Sequence, residues 1–424
     1  MRRIPLVAVA AAASIVLAGC GEDDGDGSQA GASNEVEVFT WWSEGGEKAG
    51  LDGLVQVFEQ QYPDQTFVNG VVAGGAGSNA KNVLASRLEQ GDPPSTFQGH
   101  AGGELRDYIA QEQIQDVGHL YEEEGWNDVF PEEVVSLLTE DDAIYSVPAN
   151  IHRANVVWAN PHVLKNAGVS QPPDSIDAWL EDLQALQDNG VKAPLAVATD
   201  WTQVHLFETV LIADLGPEAY NGLWTGETAW DSAEVTRAIE DYAALMEFTN
   251  GDRAGLDWPD SNQYMISGRA AYTVMGDWSY AGFEEAKLKP QKEYIWFPVP
   301  GTDGVFDFLA DSFTLPVDAP NAEGTENWLR TVGSAEGQEA FNTKKGSIPV
   351  RTDADPQAYG EYQQEAMQDW QSDTIVPSLA HGAAAPLGWL EEITSAIGEF
   401  SSSKDTGKLQ EALVAAAETY TGSG

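Results

Sequence analysis

A strand, a glycine turn and a helix follow one another from Glu35, and the unit then starts again; this alternation limits the fold more than any other feature of the chain. Val36, Val38 and Thr40 alternate with acids and Phe39 in a short strand pattern, and beyond Gly45-Gly46 the apolar residues Leu51, Leu54, Val55 and Phe58 recur at helical spacing. Pro63-Asp64 ends that helix, and Thr66 to Val72 is again strand-like. The glycine-rich run from Ala73 to Ser78 leads into a second helix carrying Val83, Leu84 and Leu88, and a third strand is expected near Ser95 to Gln98. Strands alternating with helices at this pitch predict an α/β layer with a largely parallel sheet. Ligands on such sheets sit beyond the carboxyl ends of the strands, where Trp41, Trp42 and Gln98 fall.

The pattern continues with an extended tract from Ile144 to Trp158, interrupted by Pro148. Pro172-Pro173-Asp174-Ser175 then opens a helix with Ile176, Trp179, Leu180, Leu183 and Leu186 on one face. Residues 153–300 read as helix-rich, with periodic stretches at 232–248 and 261–271, followed by strand candidates at 294–299 and 306–315 and by helices near 387–400 and 409–419. With 424 residues the chain has room for roughly two to three domains. Its 68 acidic against 21 basic residues give a formal charge of −47, which repels a nucleic-acid backbone and an anionic membrane surface alike. Acid excess spread along a chain marks a solvated surface, and a high-salt habitat would favour it.

The N-terminus is a targeting segment. Arg2 and Arg3 precede an apolar stretch, Ile4 to Leu17, too short and too rich in small residues for a membrane span. It closes on Leu17-Ala18-Gly19-Cys20, and Cys20 is the only cysteine in the chain, which excludes internal disulfides and multi-cysteine metal sites. That run is similar to the lipobox of bacterial lipoproteins, whose cysteine carries a diacylglycerol after cleavage. The expectation is a lipoprotein signal peptide over 1–19, lipidation of Cys20, and an acidic flexible tether over 20–34 rich in Gly, Asp and Ser.

Several chemistries are absent. The run Gly74-Gly75-Ala76-Gly77-Ser78-Asn79-Ala80-Lys81 lacks the Gly-Lys-Ser/Thr ending of a phosphate loop, the six histidines show no His-Glu-x-x-His spacing, and no Gly-x-Ser-x-Gly elbow occurs. Carboxylate pairs that hydrolyse glycosides have no short signature, so a secreted glycoside hydrolase is the enzymatic alternative. What is present is tryptophan, fourteen in all, with Trp41-Trp42 at the end of the first strand. A flat indole covers the apolar face of a pyranose while carboxylate, amide and ammonium groups bond its hydroxyls.

The blocks Thr40 to Glu47, Val72 to Ala80, Gly91 to Gly102 and Asn150 to Asn155, continued by Val274-Met275-Gly276-Asp277-Trp278, Asp311-Ser312-Phe313, Lys344 to Ile348 and Ala380-His381-Gly382-Ala383, resemble the family 1 extracellular solute-binding proteins of bacterial ABC importers, closest to the glucose/mannose-binding branch. The resemblance spans essentially the whole mature chain. It implies a two-lobed periplasmic-binding-protein type II fold, each lobe a largely parallel sheet flanked by helices, with an N-terminal lobe of 35–149 and 308–348 and a C-terminal lobe of 150–307 and 349–424. The chain would cross between lobes near 148–153, 299–308 and 346–351. The resemblance further implies a monosaccharide held by Trp41, Trp42, Glu47, Gln98, His100, Trp258, Trp278, Asp311, Lys345 and His381, with Asn150 and Arg153 at the hinge. Gln98 stands where branch members carry lysine, which replaces a cation with an amide. By the same resemblance the protein is not an enzyme and needs no cofactor or metal. It would be a monomer anchored by lipid to the outer face of the cytoplasmic membrane, delivering glucose, mannose or galactose to permease subunits with a cytoplasmic ATPase. A lipoprotein feeding a sugar-sensing kinase is the remaining alternative.

Overall fold

Val36 and Val38 are buried on the first strand, Glu35–Phe39, which pairs in parallel with Thr66–Asn69 on one side and Thr96–His100 on the other. The intervening helices, Gly45–Gln61 and Ser78–Glu89, supply the crossovers that parallel pairing requires. The computed structural model describes residues 34–74 and 77–422, so the expected signal peptide over 1–19, Cys20 and the expected tether up to residue 33 lie outside the described residues.

Two further strands complete this first sheet from distant parts of the sequence. Asp311–Thr314 pairs antiparallel with Thr96–His100, and Ser146–Pro148 pairs antiparallel with Asp311–Thr314, so the sheet has five strands. The second lobe carries a four-stranded sheet in the order Ile295–Pro298, Val156–Ala159, Tyr272–Val274 and Leu195–Ala196. Beside it lies a three-stranded sheet of Thr374–Pro377, Val305–Leu309 and His152–Arg153. The architecture is a two-lobed α/β fold of the periplasmic-binding-protein type II class, with mixed sheets. The largely parallel pairing expected of each lobe is confined to Glu35–Phe39 with its two neighbours, Leu195–Ala196 with Tyr272–Val274, and Val305–Leu309 with Thr374–Pro377; the other strand pairs of these three sheets are antiparallel.

The stretch expected as one strand at 306–315 serves both lobes. Phe308 and Leu309 pair with Arg153 and His152, whereas Asp311 and Ser312 pair with His100 and Gly99, so the chain changes sheets at Ala310, just past the expected 299–308. It also passes between lobes at 149–151 and 346–348, where Ile151 and Ile348 bridge each other. These extended passages lie side by side, and the polar residues on them are brought together as a result.

Helix Gly45–Gln61 buries Leu51, Leu54 and Phe58 and lies on Ala335–Lys345, a helix the apolar pattern did not announce. The approach is close because of glycine: a Cβ at Gly50 would stand 2.8 Å from the Phe341 ring, and one at Gly53 would stand 2.5 Å from the Ala340 carbonyl oxygen. In the second lobe Asp200–Thr225 forms the longest helical run, broken at Gly216-Pro217 where Gly216 takes φ 74° and ψ 167°. No helix among the described residues is long and apolar enough to cross a membrane.

Candidate functional site

Asp311 opens the strand that follows the crossing at Ala310, and polar groups from three separate segments converge on its carboxylate. Gln98 Nε2 donates to Oδ1 at 2.7 Å and Asn150 Nδ2 donates to Oδ2 at 2.7 Å, while His152 Nε2 lies 3.2 Å from Oδ2 and His100 Nε2 3.6 Å from Oδ1. Burial alone would push this carboxyl up, but the hydrogen bond and charge of His152, with Lys345 and His100, hold it well below the usual carboxylate range. Asp311 is therefore an anion. Its two amide partners are pinned from behind: Gln98 Oε1 accepts from the Thr40 hydroxyl and the Trp41 N–H, and Asn150 Oδ1 accepts from the Asp311 N–H at 2.8 Å.

His152 bridges the lobes' polar groups. Its Nδ1 bonds Asp277 Oδ1, whose other oxygen accepts the Arg153 N–H at 3.0 Å. Burial would lower the imidazole pKa, but the Asp277 carboxylate outweighs it and raises the group above its ordinary value. On the far side, Lys345 Nζ sits 3.0 Å from Glu47 Oε1 and 5.7 Å from the centre of the Trp278 ring. Glu47 is pushed up by burial, and Lys345 only partly offsets that. A second buried pair closes the edge of the cluster, with Glu104 Oε2 at 2.8 Å from Lys81 Nζ and 2.7 Å from His100 Nδ1.

Aromatic rings fill the space between these charges. Trp41 lies 5.2 Å from His100 and 5.6 Å from the Lys81 ammonium. Trp278 lies 5.2 Å from His152 and 5.0 Å from His381, and His381 in turn lies 6.0 Å from His100. His205 and Trp201, on the first turns of the long helix of the second lobe, stand 5.3 and 5.9 Å from His381. Burial holds His205 down at about 4, and burial with the neighbouring histidines holds His381 well below the ordinary value. Ser378 Oγ links His381 Nδ1, 2.8 Å away, to Glu208 Oε1, 3.0 Å away. In a nucleophile triad the carboxylate holds the imidazole; here it holds the hydroxyl, and the serine is a strut between acid and ring.

Of the residues expected at the site, Trp41, Gln98, His100, Trp278, Asp311, Lys345, Glu47 and His381 form this one connected cluster. Trp42 packs into the first lobe against Phe341 at 4.6 Å and Phe313 at 5.5 Å, on the core side of its strand end, while Trp41 turns to His100. Successive residues leaving a strand point to opposite sides, which separates the two indoles. Trp258 opens the helix Trp258–Ile266 and lines a neighbouring 480 Å³ cavity with Glu44, Gly46 and Asn262. Asn150 lies at a crossing and belongs to the Asp311 network. Arg153 turns into the second lobe, where it is paired with Asp369 and Asp373 and donates to the Val305 carbonyl.

His152, Asp277, Glu104, Lys81, Trp201, His205, Glu208 and Ser378 were not singled out from the sequence. His152 and Asp277 lie within the blocks Asn150 to Asn155 and Val274 to Trp278, and Lys81 ends the glycine-rich run that begins at Gly74. The others are single polar or aromatic residues in helices or loops, with no spacing to announce them.

Four polar atoms of this region are buried without a hydrogen-bond partner: Trp201 Nε1, Glu104 Oε1, His205 Nδ1 and His381 Nε2. They include donors and acceptors. Such orphans are costly in a protein interior, and a ligand carrying hydroxyls, each both donor and acceptor, matches the set. No group of His, Cys, Asp and Glu side chains suited to hold a metal ion occurs among the described residues.

Comparison with known proteins gives a consistent result. The family described as "Bacterial extracellular solute-binding protein" matches residues 32–339. An uncharacterized ABC transporter extracellular-binding protein of Pyrococcus horikoshii is 35% identical over 382 residues, 88% of this chain and 85% of that protein. The xylose/arabinose-binding protein XacG of Haloferax volcanii is 30% identical over 400 residues, 92% of this chain and 86% of its own length. Among solved structures, the bacterial solute receptor AcbH, described with a substrate preference for β-D-galactopyranose, superposes with a TM-score of 0.80 at 18% identity, covering 91% of this chain and 98% of that one.

Proposed function

We infer that this chain, which belongs to the bacterial extracellular solute-binding protein family, is the sugar receptor of an ABC importer. One observation carries the reading: unpartnered buried donors and acceptors lie among aromatic rings and charged groups drawn from both lobes. A hexopyranose satisfies such a set, its apolar face against indole and its hydroxyls on Asp311, Lys345, Glu47, Gln98 and the histidines. The inner unit is a single neutral ring, glucose or its epimers mannose and galactose. The pentose and galactose named for XacG and AcbH belong to the same chemical class.

The receptor works without catalysis. Sugar contacts made to both lobes only in the closed arrangement shift the population toward closure, and the permease with its cytoplasmic ATPase takes the ligand from that form. The lobes comprise 35–149 with 310–348 and 150–309 with 349–422, hinged about Asn150 and Ala310. Cys20 carries the lipid that holds the monomer at the outer face of the membrane. Trp258 borders the site, supplying a rim indole.

The test is a titration of the purified protein, read by intrinsic tryptophan fluorescence and by calorimetry, against glucose, mannose, galactose, xylose, maltose and cellobiose. Saturable binding at micromolar concentration, about −8 kcal/mol, is expected for at least one hexose. A folded protein free of co-purified sugar that binds none of the six would overturn the reading.

A further inference from the structure

Glu208 is buried in the helix Asp200–Thr225, and three consecutive residues of the loop after Thr374–Pro377 close on its carboxylate. Ser378 Oγ donates to it, 3.0 Å from Oε1 and 3.1 Å from Oε2, the Ala380 N–H donates at 2.7 Å, and the Leu379 N–H lies beside them. Two buried carboxyls in contact cannot both ionise, and Glu208 touches the carboxyl of Asp307 on Val305–Leu309. Asp307 has no other hydrogen-bond partner for its oxygens among the described residues, so the proton the two acids share lies in the contact between them. Glu208 therefore faces Ser378 as an acceptor.

A serine hydroxyl has one proton to give. With that proton directed at Glu208, Ser378 Oγ must accept from His381 Nδ1, 2.8 Å away, and the ring carries its hydrogen on Nδ1. The reverse arrangement would set a bare serine oxygen against the carboxylate. His381 Nε2, buried and without a partner among the described residues, is left as a bare lone pair on the side of the ring away from the serine. His205 obeys the same rule: its Nε2 stands 2.8 Å from the Ala154 carbonyl, which can only accept, so its unpartnered Nδ1 is bare as well. Both rings are neutral, because burial holds their pKa values below the ordinary one.

Resting on the sugar-receptor reading above, we infer that Glu208 and Ser378 are positioning residues that lock His381 in its Nδ1–H tautomer, and that the receptor selects a ligand hydroxyl able to donate a hydrogen bond to His381 Nε2. A site with a buried, preset acceptor rejects an analogue that cannot donate to it. Fluorine in place of a hydroxyl keeps the size and loses the hydrogen, so it isolates this contact.

Nitrogen-15 NMR of the histidine-labelled protein at pH 7, with His381 assigned from the resonances lost in His381→Gln, reads the tautomer without ligand. Nδ1 carries the hydrogen in the native protein, both tautomers are populated in Ser378→Ala, and Ser378→Thr, which keeps the hydroxyl, restores the native pattern. Calorimetry with glucose, mannose and galactose, and with the deoxyfluoro analogues of whichever binds, reads the consequence. At least one analogue binds roughly tenfold or more weakly than the unmodified sugar, and Ser378→Ala shrinks that penalty. Hydrogen on Nε2 in the native protein, or a pattern unchanged in Ser378→Ala, overturns the lock while leaving the receptor intact. Analogues that all bind the native protein as well as the unmodified sugar overturn the selection, and both native-protein measurements decide the matter if Ser378→Ala fails to fold. Absence of binding to every sugar overturns the receptor reading, and the selection with it, whereas the lock is decided by the NMR alone.

Discussion

Asp311→Asn removes one charge from the centre of the buried network while keeping its shape, which makes the cost calculable. The new amide must present an NH₂ either to Gln98 Nε2 or to Asn150 Nδ2, both at 2.7 Å in the native protein. Neither neighbour can rotate its own amide to accommodate it. Flipping Gln98 would orphan the Thr40 hydroxyl and the Trp41 N–H, and flipping Asn150 would orphan the Asp311 backbone N–H. One donor therefore faces another donor, and His152 loses one of its two carboxylates. Breaking a buried, hydrogen-bonded charge network in this way costs about 3–5 kcal/mol. With an unfolding entropy of about 2.1 cal/mol/K per residue, roughly 0.8 kcal/mol/K for the folded chain, the melting temperature falls by about 4–6 °C. Differential scanning calorimetry at pH 7 measures this directly. Asp311 has its pKa depressed in the folded state, so its contribution is present above the unfolded carboxylate range and is lost as pH falls through the folded value. The deficit of the variant should thus shrink below about pH 4, where the parent carboxyl protonates, and also as pH rises through the titration of His152, whose charge Asp311 helps to hold. A melting temperature within 1 °C of the parent at pH 7 would refute the assignment of Asp311 as an anionic hub.

Gly46→Val places a side chain where a Cβ already meets the Ala281 Cβ at 2.2 Å across the lobes; small-angle scattering should report a more open protein and calorimetry at least a tenfold loss of sugar affinity, and an unchanged radius with native affinity would count against the proposed closure. Burial raises both Glu208 and its neighbour Asp307 above the usual carboxylate range, so the folded protein retains protons that the unfolded chain releases, and stability declines as pH rises through the folded values; Glu208→Gln should lessen the fall in melting temperature between pH 5 and 9, and parallel curves would show that this carboxyl does not titrate as described. With a formal charge of −47, the protein should melt at higher temperature in molar KCl than in 10 mM salt because screening relieves self-repulsion; a salt-independent melt would show that its acids are locally compensated.

The elements that carry strong apolar periodicity were legible in the sequence, and those that carry polar work were not. The first helix could be read from Leu51, Leu54 and Phe58, and the helix Ile176–Asp188 from Ile176, Trp179 and Leu183, because each buries one continuous stripe. Ala335–Lys345 has no comparable stripe; it buries Gln338, Asn342 and Lys345 as well as Phe341, and their partners lie far away in sequence. Gln338 donates to the Pro148 carbonyl and Asn342 to the Ala149 carbonyl. A helix whose buried face is built to satisfy a crossing segment looks exposed when read alone. The same reason hid Glu208, which sits fully buried in the long helix yet accepts the Ala380 N–H from a loop 172 residues further on. The two indoles of Trp41-Trp42 could be placed at a strand end, but which of them faces the cluster depends on the helix packed behind, and Phe341 claims Trp42.

The site also answers a question raised by the composition, namely how a chain so rich in acid builds a buried centre whose charges are nearly balanced. The buried carboxylates Glu47, Glu104, Asp277 and Asp311 are each set against a cation or imidazole: Lys345, Lys81, His152, and His152 with Lys345 respectively. Lys345 is buried, an arrangement that is stable only when the ammonium is paired, and it is shared between Glu47 and the Trp278 ring. Because charge is nearly balanced locally, the field of the remaining acids acts on solvent and on approaching anions more than on the centre. Strand register achieves this balance. Asp311 stands opposite His100, and Ser312 beside it stands opposite both Gly99 and Pro148, so the residue leading out of Pro148 toward the hinge, Asn150, is delivered to the Asp311 carboxylate. A shift of one residue in the Asp311–Thr314 strand would turn Asp311 to the other face of the sheet and leave Gln98, Asn150 and His152 without their acceptor. The crossing at Ala310 is therefore where lobe topology and the Asp311 polar network are fixed by the same few backbone hydrogen bonds.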